Sequence, residues 1–176
     1  MNSHFHFVIT GPECSGKTVL SEALSLKYDA VLVPEYSRTY LNLIRRPYLI
    51  EDLDKIALGQ LSLEEEARSS GKDFSICDTD LTVLYIWSAY KYGEVSDLIE
   101  NGLYSELDNK FYFLSYPDLE WEPDPLRENP NDRIELFNLY KKLLDELNVP
   151  YITLIGDLDL RIAECDKIIK ERGFIY

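Results

Sequence analysis

Apolar and polar positions along this chain switch between two periods. His4-Phe5-His6-Phe7-Val8-Ile9 alternates and ends apolar, as a first strand does, whereas Val19, Leu20, Ala23 and Leu24 recur at helical spacing. Short apolar, β-branched or aromatic runs at Ala30–Val33, Phe74–Cys77, Lys110–Leu114 and Tyr151–Ile155, each followed by a polar or turn-like residue, predict four further strands. Helical patterns lie between and after them at Ser37–Arg45, Glu51–Ser69, Leu81–Tyr92, Asp97–Leu107, Arg133–Asn148 and Asp157–Arg172. Strands that alternate with helices predict a parallel sheet built from right-handed crossovers, with helices on both faces. Ligands of such α/β folds collect at the carboxyl ends of the strands. No internal repeat interrupts this order. The one Pro/Asn-rich segment, Tyr116 to Asp132, predicts an excursion from the layers rather than a linker.

Between the first strand and the first helix stands Gly11-Pro12-Glu13-Cys14-Ser15-Gly16-Lys17-Thr18, which fits G-x-x-x-x-G-K-[ST] in the strand, loop, helix context that gives the pattern its mechanics. Glycines let backbone N–H groups curl around phosphate oxygens, and the new helix points its positive end at them. The loop from Gly11 through Glu13, Cys14, Ser15 and Gly16 to Lys17, Thr18 and Val19 is therefore the candidate site for ATP. Lys17 is placed to reach the outer phosphates and Thr18 to ligate magnesium.

Composition narrows what surrounds the loop. A chain of 176 residues suits one domain with a core that needs no staples. Its net charge of −14 argues against nucleic-acid or anionic-membrane partners, which demand basic surface. No apolar run approaches the roughly 18 residues that span a bilayer, and the amino terminus carries neither a basic start nor a long apolar segment. Cys14, Cys77 and Cys165 are widely spaced with no C-x-x-C pair, so neither a disulfide framework nor a zinc site is signalled. The expectation is a cytoplasmic protein with reduced thiols.

Chemistry gathers where strands end. The second strand runs into Val33-Pro34-Glu35-Tyr36-Ser37-Arg38, which delivers a carboxylate, a phenol and a guanidinium to the phosphate edge. A kinase needs a carboxylate that orients the acceptor hydroxyl and takes its proton, and Glu35 suits that task. The same residues also suit a helix start, with Pro34 ending the strand and Ser37 capping. The third strand ends Ile76-Cys77-Asp78-Thr79-Asp80. Asp78 is the candidate second magnesium anchor beside Thr18. Asp80 is open to three roles: substrate contact, catalytic base, or cap of the helix beginning at Leu81.

The excursion carries Trp121, Asp124 and Arg127, with Arg133 following, among Pro117, Pro123, Pro125 and Pro130. Two arginines there suggest a lid that closes over the triphosphate, excludes water and brings positive charge to the transferring group. An ordinary acidic loop whose arginines pair with Glu122, Asp124 or Glu128 fits the same spacing.

Taken together, the phosphate loop, Glu35-x-x-Arg38, Ile56-Ala57 with Gln60, Asp78-Thr79-Asp80, and Trp121-x-x-Asp124-x-Leu126-Arg127 followed by Arg133 resemble the ribosylnicotinamide kinase domain of NadR-type proteins. The resemblance runs from about Phe5 to the last helix. It implies a P-loop NTPase fold of three α/β/α layers, a parallel five-stranded sheet in the order 2-3-1-4-5, and a single kinase domain over residues 1–176 with a lid at about 117–133. It further implies transfer of phosphate from ATP, with magnesium, to the 5′-hydroxyl of nicotinamide riboside, giving nicotinamide mononucleotide for NAD salvage. Carried residue by residue, it assigns Gly11, Gly16, Lys17 and Thr18 to ATP and magnesium, Asp78 to the metal, and Arg127 and Arg133 to the lid. Lys17, Glu35, Asp78, Asp80 and Arg127 become the catalytic candidates. Glu35, Tyr36, Arg38, Gln60, Asp80, Trp87, Trp121 and Asp124 become candidates for the nucleoside, since a flat ring favours aromatic stacking and its amide needs polar partners.

Two departures stand out. NadR-type proteins usually carry an adenylyltransferase ahead of the kinase, and here ten residues precede Gly11, so this chain is not expected to make NAD alone. Cys14 also occupies a loop position where serine is expected. Three other functions compete. A kinase for another nucleoside or small metabolite would keep every residue named and change the pocket. A regulatory GTPase should show N-K-x-D and D-x-x-G, but Asn109-Lys110 is followed by Phe111-Tyr112 and no glycine stands three residues after Asp78. An ATP-driven switch would hydrolyse ATP on meeting a protein partner and phosphorylate no acceptor.

Overall fold

The computed structural model describes residues 4–105 and 107–174. Within them β1 (Phe5–Thr10), α1 (Lys17–Tyr28), β2 (Val31–Val33), α2 (Tyr36–Ile44), α3 (Ile50–Arg68) and β3 (Phe74–Asp78) form the first half. They are followed by α4 (Leu81–Tyr92), α5 (Asp97–Tyr104), β4 (Lys110–Ser115), α6 (Arg133–Glu146), β5 (Tyr151–Leu154) and α7 (Leu158–Glu171). All strand pairs are parallel and the sheet order is β2-β3-β1-β4-β5. This is the three-layer α/β/α P-loop fold that the alternation and the resemblance predicted. No described helix is long and apolar enough to cross a membrane.

Alternation along β1 explains the two cores. Phe5, Phe7 and Ile9 face one side, where they pack with Phe74, Ile76, Phe111 and Phe113 against α1 and α7. Phe7 is fully buried and its ring stacks on Phe113 at 5.9 Å. Val8 faces the other side, with Cys77, Tyr112 and Leu114, beneath α3, α4, α5 and α6. Covering both faces buries every residue of β1, β3 and β4, so these strands read as near-continuous apolar runs. Full burial of each large apolar side chain contributes about 1.5–3 kcal/mol, enough to fix register in a sheet where a one-residue slip would exchange the two cores.

Element ends moved by a few residues, for local reasons. The helix expected over Asp97–Leu107 closes at Tyr104; Glu106 lies outside the described residues, and Lys110 N–H already turns back to Leu107 O at 3.2 Å. The α6 pattern stops short of Asn148, which takes a left-handed conformation at φ 53°. Likewise β5 ends before Ile155, because Gly156 turns the chain at φ 96°.

Candidate active site

The β1–α1 loop is shaped by residues that tolerate positive φ. Gly11 adopts φ 134°, and a Cβ there would stand 2.7 Å from Ser115 O on the neighbouring strand end, so glycine is required. Cys14 and Gly16 take left-handed values of 51° and 79°. Gly16 caps α1 without a side-chain bond, leaving the first amides of the helix directed toward the cleft. Inside the loop Ser15 Oγ and Lys17 Nζ both donate to Pro12 O, at 2.7 and 2.8 Å. Lys17 thus arches back over the loop, its ammonium held where an anion would compete for it.

Two strand ends bring carboxylates to this cradle. Glu35 stands at the N-cap of α2 and accepts from Ser37 Oγ at 2.6 Å through one oxygen. Asp78 ends β3 with only 4% exposure, and its Oδ1 has no hydrogen-bond partner among the described residues. Burial pushes its carboxyl up to about 6; the like charge of Glu35 adds to the shift, while Lys17, Thr18 and Arg38 oppose it. A buried, orphaned carboxylate oxygen close to the Thr18 hydroxyl is the donor set that a hard divalent cation takes, so the residues present fit magnesium.

Residues 117–132 lie against the loop. The Glu13 carboxylate accepts from Glu128 N at 2.9 Å, Asn129 N at 3.0 Å and Asn129 Nδ2 at 3.2 Å. Arg127 donates to Cys14 Sγ at 3.3 Å, and Arg133 to Cys14 O at 3.3 Å and Leu119 O at 2.8 Å. Both guanidinium groups flank the Trp121 ring, at 5.9 and 5.8 Å from its centroid. On the far side Arg38 pairs with Asp124 at 3.1 Å, and Glu128 accepts from Tyr48 OH and Lys91 Nζ.

Between these walls opens a cleft of about 310 Å³ that runs from Gly11 and Lys17 past Glu35 and Arg38 to Trp87. Trp87 presents only its ring, because its indole N–H already donates to Tyr48 OH at 2.8 Å. Of the residues expected from the sequence, the structure brings the whole phosphate loop, Glu35, Arg38, Trp87 and Arg127 to the cleft, with Asp78 beneath and Arg133 behind the loop.

Several others it does not bring there. Asp80 is the clearest correction as a catalytic or substrate residue, and of its three expected roles it takes that of the cap. Fully buried, its Oδ1 accepts from Thr82 N and Thr82 Oγ1 at 2.9 and 2.7 Å, and its Oδ2 from Lys110 Nζ and Tyr112 OH at 3.0 and 2.8 Å. It caps α4 and balances a buried lysine, so no lone pair is left for a substrate or a proton. Tyr36 and Gln60 serve each other, Gln60 Oε1 accepting from Tyr36 N at 2.9 Å, while the Tyr36 ring covers Gly59. Trp121 sits among the arginines, and Asp124 is engaged by Arg38 and by Leu126 N at 2.9 Å.

Some residues at the site escaped sequence reasoning. Tyr140 of α6 lines the cleft; burial first, then the charges of Glu35 and Glu13, push its phenol well up. Arg161, with 2% exposure, reaches from α7 to the phosphate loop. Both sit on regular amphipathic helices, and only an apolar stripe interrupted by one polar residue could have signalled them.

Comparison with known proteins places this geometry. The family model described as an AAA domain matches residues 6–161. Among solved structures, a NadR protein in complex with NR superposes with a TM-score of 0.81 at 19% identity, over 97% of this chain and 52% of that one. A NadR protein in complex with NAD and AMP-PNP gives 0.75 at 17% identity, over 99% and 51%. Thymidylate kinase from Ehrlichia chaffeensis gives 0.66 at 16% identity, over 95% and 99%. The chain spans about half the length of the two NadR proteins. At these identities the likeness establishes the fold.

Proposed function

The chain belongs to the AAA domain family, and from that premise we propose that it is a kinase that transfers the terminal phosphoryl group of ATP to the 5′-hydroxyl of nicotinamide riboside. The observation that carries the reading is the continuity of the cleft. The phosphate loop opens directly onto a second compartment that holds a carboxylate, Glu35, and ends on the ring of Trp87. A switch ATPase has no need of such a compartment, whereas a kinase must seat its acceptor in line with the terminal phosphate. The likeness to a NadR protein in complex with NR supports nicotinamide riboside as that acceptor, and a flat face at Trp87 with its N–H engaged suits an aromatic ring.

Each residue then has a task. Amides of the loop and of the start of α1 hold the phosphates, and Lys17 leaves Pro12 O to meet the outer ones. Thr18 and Asp78 would hold magnesium, which when bound neutralises charge on the phosphate oxygens. Glu35 orients the acceptor hydroxyl and accepts its proton through the oxygen that Ser37 leaves free. Asp78 lies beside Lys17 and Thr18, which suits the metal, and near enough to Glu35 to feel its charge, so Lys17 and Arg38 balance the two carboxylates. Arg127, on the lid formed by about residues 117–133 of this kinase domain, supplies charge to the group in flight, and Arg133 and Trp121 hold that lid to the loop. Free thiols at all three cysteines fit work in a reducing compartment such as the cytoplasm.

The test is an assay with ATP, magnesium and a panel of nicotinamide riboside, purine and pyrimidine nucleosides and deoxynucleosides, following both ADP and the phosphorylated product. Preferred turnover of nicotinamide riboside is expected. Preference for another nucleoside would keep the mechanism and replace the acceptor; ADP without any acceptor product would overturn the kinase reading.

A further inference from the structure

Arg161 lies in the first turn of α7, far from the loop in sequence, yet its guanidinium touches three separate segments. It donates to Ser15 O in the phosphate loop, to Gly156 O at 2.8 Å after β5, and to Tyr116 O at 2.9 Å after β4, and it pairs with Asp118. Asp118 in turn accepts from Gly156 N at 2.6 Å. Only 3% of the Arg161 side chain is exposed, and a Cβ on Gly16 would stand 3.6 Å from its Nη1, so the group is packed directly behind the loop.

The direction of one bond has a consequence on the opposite side. In a trans peptide the C=O and N–H of one unit point opposite ways. Pinning Ser15 O backward onto Arg161 therefore turns the N–H of Gly16 forward, into the concavity where phosphate is held. Arg133 does the same one residue earlier, its bond to Cys14 O turning the N–H of Ser15 forward. A loop with glycine at its end can rotate that peptide cheaply, and a rotated peptide would present a carbonyl to an anion.

We propose that Arg161 is a positioning residue for nucleotide binding: it fixes the orientation of the Ser15–Gly16 peptide so that the loop amides are set before the phosphates arrive. The inference rests on the kinase reading only in taking the loop's ligand to be a nucleoside polyphosphate. Asp118 keeps the buried guanidinium compensated, which a residue serving the fold alone would also need. The bond to Ser15 O is the part that a fold role does not require.

Calorimetric titration of ADP with magnesium into the full chain tests this without any acceptor. Arg161→Met keeps the bulk and removes the donors, and its ADP affinity should fall about tenfold to a hundredfold, the range for loss of a charged hydrogen bond. Arg161→Ala should regain part of that affinity on adding guanidinium ion at millimolar, non-denaturing levels. In the assay with ATP and acceptor nucleoside the KM for ATP should rise while that for the acceptor holds. Melting without nucleotide shifts under either role, but the ADP affinity of the folded variant shifts only if Arg161 positions the loop. A folded Arg161→Met that binds ADP as tightly as the parent would overturn the proposal. Should the Arg161 variants not fold, Asp118→Asn decides, with about a threefold weaker ADP affinity expected and an unchanged one refuting. A parent chain that binds no ADP would sink the phosphate-loop reading, and this inference with it.

Discussion

Lys110→Met probes the buried charges behind the strand ends. Lys110 Nζ lies 3.0 Å from both Glu64 Oε2 and Asp80 Oδ2, with 4% of its side chain exposed. At that separation each attraction is about 5–6 kcal/mol for an effective dielectric near 20. Most of it is cancelled by the cost of taking three charges out of water. Removing the cation alone keeps that cost and loses the compensation, so a destabilisation of about 3–5 kcal/mol is expected, a large share of the roughly 5–15 kcal/mol that holds a domain together. Urea unfolding at neutral pH measures it. The pH dependence adds a second check. Burial already raises the Glu64 carboxyl against the opposing pull of Lys110, and without the lysine it rises further. A carboxyl raised on folding keeps its proton in the native state over a window where the unfolded chain has released it, so stability falls as pH climbs from the unfolded value through the folded one. The deficit should therefore be smallest in mild acid and deepen toward neutrality. Replacing Lys110, Glu64 and Asp80 together by Met, Gln and Asn should recover most of the loss. A single-variant cost under about 1 kcal/mol, or a deficit flat in pH, would refute the reasoning.

Three further outcomes are expected. Lys17→Ala should lower kcat at least about a hundredfold while urea unfolding stays within about 1 kcal/mol of the parent, since the lysine's one described bond is to Pro12 O; normal turnover would remove the loop from the mechanism. Glu35→Gln, which keeps an oxygen for Ser37, should cut kcat about 10²–10⁴-fold with ADP affinity unchanged by calorimetry, and an equal loss of ADP affinity would reassign Glu35 to the nucleotide. Alkylation of Cys14 with iodoacetamide should block ATP binding, and saturating ATP should protect the thiol, read by mass spectrometry of the labelled peptide; labelling indifferent to ATP would place Cys14 outside the bound loop.

What the sequence disclosed and what it withheld divide along chain distance. The three central strands were legible because both faces of the sheet are covered there, which writes apolar runs broken only by Ser75 in Phe74–Cys77 and by the leading Lys110 in Lys110–Leu114. The less buried edge strands β2 and β5 were legible from their β-branched residues. The phosphate loop was legible because its parts lie within eight residues and each glycine meets a local backbone demand at Gly11 and Gly16. The catalytic reading of Asp80, unlike the capping one, failed for a related reason. From the sequence it is a carboxylate two residues past Asp78, and only the fold reveals that Lys110, thirty residues on, has a strand register that puts its ammonium against it.

Trp121 makes the same point about aromatic residues. An aromatic ring near a nucleoside site invites stacking, yet here the ring is flanked by the guanidinium groups of Arg127, on its own segment, and Arg133, at the start of α6. Each such contact contributes about 0.5–1 kcal/mol when exposed, which is modest, but together they hold two cations against the loop that would otherwise repel each other. Glu13 works from the opposite side, turning a loop position with no motif constraint into the acceptor that fixes Glu128 and Asn129. The loop is thus held through its own Glu13 and from outside by Arg133 and Arg161, each bond joining residues more than a hundred positions apart in the chain. A motif records which backbone can curl around an anion; which way its peptides face is decided by side chains that the motif does not contain. That is why the orientation of the Gly16 amide depends on Arg161, a side chain that lies behind the loop and outside the cleft.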